Sequence, residues 1–280
     1  MSTIGIIGAG RVGTALALSL AEKGHRVAGV ASRRDNGARA LARRIAGAQS
    51  LSARDLVAQC DWIFLTVPDA AVAMLAAELS WRAGQAVIHT SGALDLSALD
   101  PAAARDALPG SFHPLRAFAT GDTGANAFAG VTIGVAAGPA LSPQLESLAG
   151  SLGARALRID GADRALYHAA AVFASNFAIA LLVAARQAWT LAGLPEAEAR
   201  AALAPLLEGA AANAHALPLE KALSGPIARG EAETIKRHLE KLARAPELAD
   251  VYRALGAQLL DLELGHSREV RDSLRWALVR

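Results

Sequence analysis

"GIIGAGRVGTALA", residues 5–17, is the stretch on which the fold turns. The apolar run Ile4–Ile7 leads into Gly8-Ala9-Gly10-Arg11-Val12-Gly13, and an alanine- and leucine-rich stretch follows. The run predicts a strand and the stretch after it a helix. The glycines, spaced G-x-G-x-x-G, then occupy the turn of a βαβ unit. In that setting Gly8 permits the tight turn, Gly10 lets the backbone approach a pyrophosphate, and Gly13 lets the helix pack closely on the sheet. The helix N-terminus offers free N–H groups and a partial positive charge to phosphates. A glycine turn with no ligand is the alternative, and the strand-turn-helix context speaks against it.

Outward from this loop, short β-like runs alternate with helical patterns. Strands are expected at 4–7, 26–31, 62–67, 86–90, 111–113, 131–136 and 156–159, with a weak one near Ala48. Helices are expected at 14–23, 37–45, 70–79 and 142–152. Such alternation implies an α/β fold, a doubly wound, mainly parallel Rossmann sheet covered on both faces. After Asp160 the strands stop. Long helical patterns take over, broken at Gly193-Leu194-Pro195, Leu217-Pro218, Gly225-Pro226 and Ala245-Pro246, where proline starts or stops helices. The expected organisation is a dinucleotide-binding domain over residues 1–159 and an all-helical substrate and dimerisation domain over 160–280.

Composition narrows the class. The chain has 280 residues, 53% of them hydrophobic, which suits a large core and argues against disorder. The formal charge is +2 and no basic block is present, so no nucleic-acid partner is expected. Cys60 is the sole cysteine, so neither an intrachain disulfide nor a cysteine zinc site is available; no metal is expected, and a reducing cytoplasm fits. No basic leader precedes the first apolar run, which argues against a signal peptide. The uncharged stretch between Arg164 and Arg186 is long enough to span a bilayer. Its His168, Ser175 and Asn176 favour instead a helix buried in protein or at a dimer contact.

The second strand bears on the nucleotide. It runs into Ser32-Arg33-Arg34, where an NAD-specific fold usually has a carboxylate for the ribose. A hydroxyl and guanidinium groups would hold a 2′-phosphate, which favours NADP; Arg11 could also reach a phosphate. A shift of one or two residues would bring Asp35 to the ribose and favour NAD instead. Ligands in open sheets bind beyond the carboxyl ends of strands. That makes Val67, Pro68 and Ser91 candidate cofactor contacts, with Asp69 either a helix-stabilising or a contacting residue. His113 and Arg116 are candidates to face a substrate carbonyl and a carboxylate. On the apolar helix, His168 and Ser175 are seven residues apart and share a face, with Asn176 beside it. His168 and Asn176 join His113 as candidate catalytic residues, against the alternative of polar groups satisfied within the core.

Together "IGIIGAGRVGTALA", "LTVPDAAV", "HTSGALD", "SFHPLRAFA", "YHAAAVFASN" and "SGPIARGE" resemble a family of Rossmann-like oxidoreductases with a helical C-terminal domain of unknown function. The N-terminal part also resembles pyrroline-5-carboxylate reductase and the deazaflavin-linked NADP reductases. The C-terminal part is similar to the helical domain of the 6-phosphogluconate dehydrogenase superfamily. The resemblance implies an NADP-dependent reductase, commonly a homodimer, with its active site between the domains and His113, His168, Asn176 and the Gly225–Gly230 loop near it. Hydride would pass between NADPH and a small carbonyl or imine substrate. His168 or His113 would donate the proton, Asn176 would orient the substrate, and Arg116 or Arg229 would bind a carboxylate. The β-hydroxyacid dehydrogenases of that superfamily use a lysine on the long helix; this chain has none between Tyr167 and Asn176, so their acid–base mechanism does not transfer. Two rival functions remain open: a non-catalytic NADP-binding sensor that docks a partner, and a deazaflavin-linked NADP reductase.

Overall fold

A short apolar strand satisfies its backbone polar groups only between neighbours, which favours collecting such runs into one buried sheet. The computed structural model describes residues 2–119, 124 and 126–279. In it an eight-stranded sheet has the order β3-β2-β1-β4-β5-β6-β7-β8. The strands are β1 (Ile4–Ile7), β2 (Val27–Ala31), β3 (Gln49–Ser50), β4 (Trp62–Leu65), β5 (Ala86–His89), β6 (Leu108–Pro114), β7 (Thr132–Ala137) and β8 (Arg155–Arg158). Every neighbouring pair is parallel except β6–β7, whose connection carries no α-helix among the described residues and therefore needs no crossover. The expected α/β class holds, including the weak strand near Ala48, which is β3.

Alternation along the strands sorts the core into two layers. On one face Ile6, Phe64, Ile88 and Phe112 pack with Leu16 and Leu20 of α1 (Arg11–Glu22), Leu41 of α2 (Asp35–Ala42) and Leu145 of α6 (Ser142–Ser151). On the other, Ile7, Leu65 and Val87 pack with Leu56 of α3 (Ala53–Gln59), Val72 of α4 (Asp69–Glu78) and Ala102 of α5 (Asp100–Ala103). Further along β5 and β6 this second face changes from apolar to polar. His89 pairs with Ser111, and His113 with Gly134 of β7, so their side chains lie on that same face.

After β8 the chain is helical: α7 (Arg164–Ala174), α8 (Asn176–Leu191), α9 (Glu196–Ala216), α10 (Leu219–Ala222), α11 (Pro226–Arg229), α12 (Ala232–Leu242), α13 (Pro246–Leu259) and α14 (Arg268–Val279). The expected breaks fall where the prolines stand. Pro195 and Pro218 precede α9 and α10, while Pro226 and Pro246 open α11 and α13. Ile235, Leu239, Leu274 and Leu278 form the core of this part. By compactness the chain divides into Met1–Val172 and Phe173–Arg280, so the first turns of α7 belong with the sheet.

The stretch expected as one long helix is interrupted at Ser175, whose φ of −122° and ψ of −70° leave the helical region. Asn176 starts a new helix, so the helical face shared by His168 and Ser175 is not continuous. The segment Arg164–Leu191 is long and apolar enough to cross a membrane by length and composition, and none of its most apolar window is buried. Leu166, Phe173, Phe177 and Ile179 are exposed along it. The expectation of a helix buried within this chain is therefore corrected.

Candidate functional site

The loop between β1 and α1 has the geometry its glycines predict. Gly8 has φ +122°, and a Cβ there would strike the Thr66 carbonyl. A Cβ on Gly13 would strike the Gly8 carbonyl, so helix and loop meet without room for a side chain. The Thr66 hydroxyl donates to that same carbonyl at 2.8 Å and fixes the turn from the neighbouring strand. Gly10 differs: a Cβ on it would meet nothing within 4 Å, so neither packing nor a positive φ requires a glycine there. It precedes α1 without a side-chain cap, and the first turn of α1 has no acidic residue. By contrast, Ser52 caps α3 and Asp55 sits in its first turn. Open space and uncapped N–H groups at one loop fit a bound pyrophosphate. Val12 packs against the core, while Arg11 is exposed and donates to the Phe118 carbonyl at 3.3 Å.

At the end of β2, Ser32 is half-buried and Arg33 and Arg34 are exposed; no described residue forms an ion pair with either arginine. Asp35 opens α2, bonded to Arg39 at 2.5 Å and to Ser50 at 3.1 Å. Arg39, with Ser50, holds its carboxyl below the usual range. Asp35 thus has partners of its own, which leaves the two preceding guanidinium groups as the unpaired charges of this edge.

The next strand ends build a cluster of imidazoles. Val67 is half-buried and Pro68 exposed ahead of α4. The Ser91 hydroxyl accepts from the N–H groups of Ala93 and Leu94, closing the turn after β5. Gly92 follows, buried. A Cβ on it would lie 2.6 Å from His168 Nδ1 and 2.8 Å from His113 Nε2. Two histidines 55 residues apart in the chain therefore converge on one glycine, their ring centroids 6.1 Å apart. His113 Nδ1 is 2.9 Å from the Tyr167 hydroxyl, which rests over Gly134, where any side chain would collide with it. Arg164 donates to the Ser91 carbonyl and the Ser111 hydroxyl, both at 2.9 Å, and lies against the Tyr167 ring. Burial pushes His113 down to about 4, helped by the charges of His168 and Arg164. His89 is pushed down to about 4 by burial, with Arg164 and His113 adding. Both rings are neutral at pH 7. Among the described residues no group of three His, Cys, Asp or Glu is placed to hold a metal ion.

The remaining candidates have settings of their own. Arg116 donates to the Ala127 carbonyl at 2.6 Å and stacks on Phe118, so its guanidinium braces a loop. Arg229 is held by both carboxylate oxygens of Glu231, at 2.6 and 3.0 Å. Neither is left as a free carboxylate receptor. Asn176 opens α8 in the second unit and is exposed. Asp69 stands in the first turn of α4 and favours protonation of His113 through space. The residues not foreseen are Thr66, Gly92, Arg164 and Tyr167. Arg164 and Tyr167 lie one helical turn apart on α7, and Tyr167 immediately precedes His168; that spacing is the signal the sequence held.

The fold and the loop define a Rossmann-like protein with an appended helical domain. Residues 1–114 match the Rossmann-like domain family, and residues 131–259 match DUF2520, a domain of unknown function. Among functionally curated proteins no match was found. Among solved structures, a candidate NADP oxidoreductase from Bacteroides fragilis is 26% identical, with 91% of this chain and 96% of that one covered and a TM-score of 0.72. A reductive aminase from Aspergillus terreus, solved with NADPH and ethyl 5-oxohexanoate, is 20% identical over 100% of this chain and 93% of that one, at a TM-score of 0.64. A 1-pyrroline-5-carboxylate reductase from Streptococcus pyogenes is 17% identical over 100% and 99%, also at 0.64. These likenesses extend over both the sheet and the helical part.

Proposed function

We propose that this protein is an NADP-dependent oxidoreductase acting on a small carbonyl or imine compound at the carboxyl ends of β5 and β6. One observation carries the proposal: an uncapped glycine loop and a pair of histidines converging on Gly92 lie at the same edge of one sheet. Open sheets bind ligands at that edge. The Bacteroides candidate NADP oxidoreductase and the Aspergillus reductive aminase, solved with NADPH, support the same choice.

Gly8, Gly10 and Gly13 would receive the pyrophosphate, and Ser32, Arg33 and Arg34 the 2′-phosphate. Val67, Pro68 and Ser91 would line the rest of the cofactor site. NADPH supplies the hydride when bound. His113, neutral at pH 7, acts as an N–H donor rather than an imidazolium. In the tautomer in which Tyr167 donates to Nδ1, 2.9 Å away, the ring proton sits on Nε2, the nitrogen next to Gly92. A neutral imidazole N–H polarises a carbonyl or imine without carrying a charge into a buried site. His168 delivers the proton to the reduced oxygen or nitrogen.

The protein works as a homodimer in the cytoplasm, a second copy covering the exposed apolar residues of α7 and α8. Exposed apolar surface of this kind is uncommon on monomers, and the buried free thiol of Cys60 suits a reducing compartment. A monomer mass by sedimentation at micromolar concentration would remove the dimer. For the function, a fluorescence titration of NADPH against NADH comes first, then oxidation of NADPH with ketones and preformed imines. Preference for NADPH, and turnover abolished in His168→Ala, is the expected outcome. Binding without turnover of any substrate would leave a nucleotide sensor; no binding would end the proposal.

A further inference from the structure

Four buried nitrogen atoms at α7 and the strand ends beneath it have no hydrogen-bond partner among the described residues: both ring nitrogens of His89, Nε of Arg164 and Nδ1 of His168. His89 is 0% exposed and Arg164 5%. The atoms belong to one neighbourhood. His89 is the register partner of Ser111, and the Ser111 hydroxyl accepts from Arg164. Arg164 also donates to the Ser91 carbonyl, one residue before Gly92, on which His168 Nδ1 packs. Among the described residues no carboxylate pairs with Arg164; Asp95 acts on it only through space. The polar partners of its guanidinium are a neutral carbonyl and a neutral hydroxyl.

A guanidinium stays charged when buried, and a buried charge is held by a counter-charge. Water would satisfy the stranded N–H groups but not the charge. Each imidazole also has an N–H to donate, so every group here can serve an acceptor. The cluster lies at the strand ends where open sheets take their ligands, apart from the glycine loop that the cofactor phosphates would occupy. We propose that His89, Arg164 and His168 form an anion subsite, and that the substrate carries a carboxylate seated on Arg164. The planar fork of a guanidinium matches a planar carboxylate through paired N–H bonds. That the anion belongs to a substrate rests on the reductase reading; the subsite itself does not.

The test uses the full chain labelled with 15N at histidine. Ring-nitrogen signals are followed while sodium acetate is added, against sodium chloride at equal ionic strength and against inorganic phosphate. The signals of His89 and His168 should move saturably with acetate and stay still with chloride. Arg164→Gln should weaken acetate about ten- to a hundred-fold, the worth of a charged hydrogen bond, with Arg164→Lys in between. If Arg164→Gln does not fold, His168→Gln supplies the same comparison. No movement, equal movement with chloride, or a response to phosphate alone would overturn the carboxylate subsite. With cofactor present, 5-oxohexanoate should show a lower KM than its ethyl ester, and the gap should narrow in Arg164→Lys. Equal KM values for acid and ester would also overturn it. An NADPH titration of the same sample separates the two ideas: loss of NADPH binding removes the reductase reading and leaves the acetate result standing.

Discussion

Gly10→Ala separates a glycine kept for a ligand from glycines kept for packing. In the protein itself a methyl at position 10 meets nothing within 4 Å, and the residue has φ −78°, which alanine adopts freely. Two small terms then oppose one another. Alanine narrows the unfolded ensemble, which stabilises by ~0.4–1 kcal/mol. Alanine is also a poorer residue than glycine before a helix, at a cost of a few tenths to ~1 kcal/mol. The net change should lie within about 1 kcal/mol of zero, or roughly 2–4 °C in Tm. NADPH affinity should nonetheless fall at least ~10-fold, because the added methyl occupies the space the pyrophosphate needs. Gly13→Ala is the control. Its methyl would drive into the Gly8 carbonyl, which is backbone and cannot swing away. Overpacking of that kind costs about 3 kcal/mol or more. Gly8→Ala adds the strain of φ +122° to its collision with Thr66. Differential scanning fluorimetry reads the stabilities and cofactor fluorescence the affinities. A Gly10→Ala protein as stable as the parent that still binds NADPH equally well would refute the reasoning, since the space above Gly10 would then have no ligand to fill it.

Three further outcomes are expected. Arg33→Ala should weaken NADPH by about 10-fold or more, as charged hydrogen bonds to a phosphate are worth ~1.5–3 kcal/mol; NADH should be unaffected, and an equal loss for both nucleotides would point away from the 2′-phosphate. Tyr167→Phe should lower kcat about 10-fold with NADPH affinity unchanged, and the 15N shifts of His113 should show the proton no longer confined to Nε2; unchanged shifts would mean that Tyr167 does not set the tautomer. Acid should destabilise the protein through His89 and His113. Both titrate near 4 in the folded chain and near 6.5 when unfolded, so the unfolded chain binds more protons between those values. Their contribution is intact above pH 6.5 and is lost as pH falls towards 4, by roughly 3 kcal/mol for each at most. Urea midpoints between pH 7 and 4 measure it, and a midpoint that holds or rises on acidification would show that the two rings are not buried neutral.

The sheet was legible because its signals are local. Each strand is a run of a few apolar residues bounded by breakers, and each proline break in the helical part fell where the chain turns. The glycine loop was legible for the same reason: its meaning depends on a spacing of six residues and the elements on either side. The break at Ser175 was not legible, since serine between two alanine-rich helices carries no stop signal of the strength of proline or glycine. The site beneath α7 was half legible. His113 and His168 stand out as polar residues in apolar surroundings, but nothing in the sequence says that they meet, because that depends on Gly92 lying between them. Arg116 and Arg229 looked like carboxylate receptors by their place near the motifs, and Arg164 looked like the charged end of an apolar helix. Pairing reverses these roles. Ala127 and Glu231 engage the first two, and among the described residues only Arg164 enters the interior with no carboxylate paired to it. Which arginine is available to a ligand is therefore decided by the carboxylates and carbonyls that each one has already found, and sequence spacing does not report those.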